Sequence, residues 1–91
     1  MATNYFVSYD LNGQAPTHAQ MDEHLKKLGR CVYRVIETVW YVRSNKTRSE
    51  IYDYVNSIVS TNDRVLVIEA AGATWRNLLV PDKAILDCWN A

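Results

Sequence analysis

The chain has little of what marks the specialised classes of small protein. Two cysteines in 91 residues are too few for a disulfide framework. Cys31 and Cys88 lie at a spacing that matches neither a redox pair nor a zinc site, so the expectation is two reduced, packed thiols. Three glycines and two prolines exclude a collagenous or low-complexity chain, and there is no glycine-rich phosphate loop, nucleophile elbow or zinc motif. Apolar runs such as Val65–Ile68 fall far short of the roughly 20 residues that cross a bilayer, and no basic stretch precedes an apolar one near Met1. The expectation is therefore a cytoplasmic protein with no membrane contact. Ten Lys and Arg balance ten Asp and Glu, which argues against coating a polyanion through bulk charge and leaves room for self-association.

What is present is a hydrophobic, aromatic-rich chain long enough for one modest core. Tyr5–Leu11 reads as a first strand, closed by the turn formers Asn12-Gly13 and Pro16. Thr17 and Gln20 make a capping box, followed by Met21, Leu25 and Leu28 at helical spacing and Gly29 as a stop. Cys31–Ser44 is dense in β-formers and interrupted by Glu37-Thr38, which predicts two strands in a hairpin. Thr47 and Glu50 form a second capping box ahead of Ile51, Val55 and Ile58, predicting a helix over Arg48–Val59. Arg64–Ala70 is a strand whose apolar continuity suggests a central or fully covered position. In the tail, Pro81-Asp82 opens a short helix carrying Ile85, Leu86 and Trp89.

The order strand, helix, strand, strand, helix, strand predicts an α+β, ferredoxin-like βαββαβ fold with a four-stranded antiparallel sheet. The expected organisation is a single domain over 1–91, with a core at 4–70 and a structured extension at 71–91. Both helices occupy one sheet face, and the other, if apolar, needs the tail or a dimer partner to cover it.

Asp10 is the most informative single residue, a carboxylate ending an apolar strand, where charge requires solvent, a partner or a cation. Asp10, Glu37 and Asp63 can share one sheet edge and hold a hard cation such as magnesium. Alternatively, Asp10 pairs with Arg64, and the other two serve their turns. Ser8 shares the Asp10 side of the strand, while Tyr5, Val7 and Tyr9 face the core. Arg30, Arg34 and Arg43, with Lys26, Lys27 and Lys46, can form a basic strip that grips phosphate, or a solvated surface. His18 and His24 share no helix face and form no metal pair.

Val7-Ser8-Tyr9-Asp10-Leu11 ahead of a helix, Leu28-Gly29, Thr38-Val39-Trp40-Tyr41-Val42 and Asp63-Arg64-Val65-Leu66-Val67 together resemble the SinR-like branch of the small CRISPR-associated adaptation nucleases. The similarity runs from about Asn4 to Ala70, and Trp75, Leu78 and Trp89 resemble that branch's tryptophan-containing tail. The resemblance implies a homodimer in which Asp10 and its partner's copy hold one divalent metal for phosphodiester hydrolysis. The VapD toxins share this fold and act on RNA. The basic and polar strand signature of the CRISPR members is replaced here by Arg34-Val35-Ile36-Glu37-Thr38-Val39-Trp40, and related dimers also serve as non-catalytic scaffolds.

Two readings follow. In the first, the chain is a magnesium-dependent endoribonuclease or deoxyribonuclease, with Asp10 catalytic and metal-binding and with Arg34 and Arg43 on nucleic acid. In the second it is a non-catalytic dimeric scaffold or inhibitor that binds a protein partner through its open sheet edge or tail, with Ser8, Trp75, Leu78 and Trp89 at the interface.

Overall fold

In the computed structural model, which describes all 91 residues, local signals set the helix starts. The Thr17 hydroxyl accepts from the Gln20 amide while the Gln20 side chain accepts from the Thr17 amide, and Thr47 and Glu50 repeat this reciprocal pair. Each box satisfies two amides at a helix start that have no partner within the helix. The helices that follow are α1 (His18–Lys26) and α2 (Arg48–Asn56). The second stops short of the expected Val59, because Ser57 caps it and its hydroxyl donates back to the Tyr54 carbonyl.

Strands β1 (Thr3–Asp10), β2 (Val32–Ile36), β3 (Val39–Ser44) and β4 (Arg64–Ala70) form one antiparallel sheet in the order β2-β3-β1-β4. A third helix, α3 (Asp82–Trp89), completes an α+β chain of four strands and three helices. The strand period of two sorts the side chains between two layers. Tyr5, Val7 and Tyr9 of β1 join Trp40 and Val42 of β3 against Met21, Leu25, Ile51 and Val55, so α1 and α2 cover one face.

The opposite face is covered largely by the chain's own tail. Val35 and Tyr41 of the sheet and Ile85 and Cys88 of α3 form a second core, flanked by Phe6, Trp75, Leu78 and Trp89. The Trp89 ring stacks on Tyr41 at 5.7 Å with planes 13° apart, and Asn4 donates to the Trp89 carbonyl. Trp75, Leu78 and Trp89, expected at a dimer or partner interface, therefore pack mainly on their own sheet, because folding the tail back shelters apolar surface within one chain.

Two expectations are corrected. Cys31 and Cys88 form a disulfide across 57 residues, with Cα atoms 5.9 Å apart. Spacing along the chain hid this pair, which exists because the tail returns α3 to the start of β2. The strand β4 is not central but lies at the sheet edge. Its continuous apolar run reflects one flank turned to α2 and another left open, with Leu66 56% and Ile68 47% exposed.

Candidate functional site

The carboxyl end of β1 carries the strongest sequence candidate. Antiparallel pairing sets Asp10 opposite Arg64, and the Arg64 Nη1 donates to Asp10 Oδ2 at 2.9 Å. Both side chains are exposed, at 61% and 76%, so water competes for this pair and screens it. Asp10 thus has the Arg64 partner that the strand register provides.

Asp63 lies nearby in sequence from Arg64 but has separate work. Its Oδ1 accepts from the Asn12 amide and its Oδ2 from the Ser60 amide, both at 2.7 Å. These bonds to the charged form hold its carboxyl below the usual range. Asp63 thereby ties the loop after β1 to the loop before β4. Glu37 sits in the turn between β2 and β3. The expected trio does not form, because no three His, Cys, Asp or Glu side chains gather in a cation-holding arrangement.

The metal implied by the resemblance does not fit the residues within one chain. One Asp10 oxygen is engaged by a guanidinium, which repels an incoming cation, and no further cluster of acidic or imidazole ligands stands beside it. Ser8 shares the Asp10 face and pairs across the sheet with Val39 and Leu66, which supplies apolar neighbours rather than ligands.

The two arginines proposed to grip phosphate are separated. Arg34 pairs with Trp40 on the helix-covered face, whereas Arg43 pairs with Asn4 on the tail-covered face. The Arg43 Nη2 donates to the Ala91 carbonyl at 2.8 Å. Strand alternation thus prevents these two from forming a continuous strip, even though both belong to one hairpin.

No family model, curated protein or solved structure matches the chain.

The remaining polar constellation joins the two helices. The His24 and Tyr54 rings stack at 4.0 Å with planes 2° apart. The His24 Nε2 donates to the Tyr54 carbonyl at 2.6 Å and the Tyr54 hydroxyl donates to the His24 carbonyl at 2.7 Å. Because a carbonyl oxygen only accepts, this bond requires a hydrogen on Nε2. The pair clasps α1 to α2. Their separation of 30 residues concealed the contact from any reading of local spacing.

Apolar ground is the other exposed feature. A cavity of about 530 Å³ beneath the tail is lined by Phe6, Val35, Val39, Ile68, Trp75 and Ile85. Its lining includes Ile68 of β4, which with Leu66 projects from the sheet on the same side as Ser8. This margin can bind through apolar contact and backbone pairing, whereas the Asp10 end offers one exposed ion pair. No helix is long and apolar enough to cross a membrane.

Proposed function

We propose that this chain is a small, non-catalytic homodimeric binding protein with a ferredoxin-like fold. The fold reading is supported by the order β1-α1-β2-β3-α2-β4, the antiparallel sheet and the placement of α1 and α2 on one face. The observation that carries the functional reading is the pairing of Asp10 with Arg64, set beside the exposed apolar margin of β4. The one strong candidate for catalysis has a structural partner, while the apolar surplus that the tail leaves uncovered, Leu66 and Ile68 of β4, stays exposed. A dimer, as a scaffold or inhibitor, uses that surplus and needs no metal. The Cys31–Cys88 disulfide favours an oxidising setting over the cytoplasmic one expected from free thiols.

The nuclease reading keeps one point in its favour. Arg64 engages Asp10 through Oδ2, and the carboxylate stands exposed at a strand end where a substrate has access. The two readings separate in one experiment: hydrolysis of RNA and DNA with magnesium by wild type and Asp10→Ala, alongside the mass of the wild-type particle. The expected result is a dimer without metal-dependent cleavage. Cleavage by wild type that disappears in the variant overturns the non-catalytic reading and assigns nucleic acid as substrate. A monomer at every concentration removes the dimer.

A further inference from the structure

The cavity beneath the tail lies between two layers of one chain. Phe6, Val39 and Ile68 line it from the sheet, and Trp75, Leu78 and Ile85 line it from the tail. Its volume of about 530 Å³ falls within the roughly 300–1,000 Å³ of small-molecule sites.

Several ties hold the tail wall in place. The Leu79 amide donates to the Val35 carbonyl at 2.9 Å, Cys88 is bonded to Cys31, and the Trp75 Nε1 donates to Asp82 Oδ1 at 3.0 Å. The walls are thus set in the free protein, which lowers the ordering cost of binding. Between β4 and Trp75 the chain supplies Ala71, Gly72, Ala73 and Thr74, whose side chains are too short to fill the space. Apolar lining without facing atoms forfeits packing contacts that an apolar occupant restores.

We propose that this cavity binds an uncharged amphiphilic small molecule, with a hydrocarbon or aromatic body against Phe6 and Trp75 and one polar group at the Ala71–Thr74 rim. The lining itself selects this chemistry. Glu69 is the one ionisable residue in it. Glu69 stands opposite Tyr5, which faces the helix-side core, so strand alternation turns its carboxylate away from the tail side. A charged ligand body would therefore lose hydration without gaining a counter-ion. At the rim, the backbone of Gly72–Thr74 makes no hydrogen bond within the chain. Its amides and carbonyls, with the Thr74 hydroxyl, are free to take a ligand's polar group. One chain supplies every wall, so the site goes beyond the homodimeric reading and does not depend on it.

The test is fluorescence titration of the oxidised full-length protein with the neutral probe N-phenyl-1-naphthylamine, with folding checked by circular dichroism. Saturable binding of one probe per chain is expected. Ala70 lines the cavity and lies opposite Asn4 on the tail side, so Ala70→Leu should occupy the space and weaken probe binding by about tenfold or more. Gly72→Leu, with open space around its Cβ, should weaken it in the same direction from the rim. Leu66→Gln, which removes exposed apolar surface outside the cavity, should leave it unchanged. Decan-1-ol should displace the probe at a concentration about tenfold or more below that needed for decanoate.

Absence of saturable binding, or binding that both filling variants leave intact while folded, overturns the site. An equal loss in Leu66→Gln overturns it too and assigns the signal to the exposed β4 edge. Equal displacement by decanoate overturns the uncharged class. Probe binding that falls as the protein dimerises makes a second copy the occupant, which overturns the ligand and leaves the homodimeric reading in place.

Discussion

Cys88 near the end of α3 is bonded to Cys31 at the entrance to β2, so the C-terminal helix is tied covalently to the sheet it covers. The bond closes a loop spanning most of the chain and fixes the side of the sheet on which the tail lies. Ile85 and Trp89 then bury apolar surface against Val35, Tyr41 and Phe6. Covalent closure and hydrophobic cover act on the same element and support one another.

Reduction should destabilise the protein substantially. For a loop of 57 residues, the chain-entropy relation gives about 4 kcal/mol. Urea denaturation of oxidised and reduced protein should show the lower midpoint after reduction, and mass spectrometry of the oxidised form should find no alkylatable thiol. An unchanged midpoint would count against closure of this loop.

Truncating the tail's anchor should separate packing from the covalent tie. Ile85 is fully buried in the second core, so Ile85→Ala should cost about 2–5 kcal/mol through lost transfer energy and a residual cavity. Denaturation measures the loss. Tryptophan fluorescence should shift to longer wavelength as Trp89 and Trp75 gain contact with water, even with the disulfide intact.

Acid should weaken the loop clamp formed by Asp63. Its carboxyl is held below the usual value of 3.8 by bonds from the Asn12 and Ser60 amides. A depressed folded-state value contributes stability that is present above the unfolded value and lost as pH falls through the folded one. Asp63→Asn should therefore be less stable than wild type at neutral pH, with the gap narrowing below about pH 4. Denaturation midpoints measured across this range check the sign.

The Asp10–Arg64 pair should contribute little to folding. Both groups are exposed, and exposed ion pairs of this type contribute less than about 1 kcal/mol. Asp10→Ala should shift the denaturation midpoint only slightly, making the variant suitable for a cleavage comparison at matched stability. A large shift would reveal a structural role beyond this ion pair.

Much of the fold was legible because its signals are local. The Thr17–Gln20 and Thr47–Glu50 boxes place the helix starts, and Glu37-Thr38 marks the hairpin turn. Alternation along β1 correctly assigned Tyr5, Val7 and Tyr9 to the core and Ser8 and Asp10 to the other face. At the candidate site, the sequence named Arg64 as a partner for Asp10, and strand register delivers that contact. It also allowed a carboxylate trio and an arginine strip. Neither is assembled, because Asp63 is used by two backbone amides and alternation sends Arg34 and Arg43 to opposite faces.

By itself, the sequence determined where most helices and strands form and which side of β1 is buried, since capping and side-chain periodicity act over a few residues. Only the tertiary structure decided that Cys31 meets Cys88, that His24 stacks on Tyr54, that the tryptophan tail covers its own sheet, and that β4 is an edge. These relationships join segments distant along the chain. They depend on the path of the backbone and on competition for apolar cover, which local spacing does not specify.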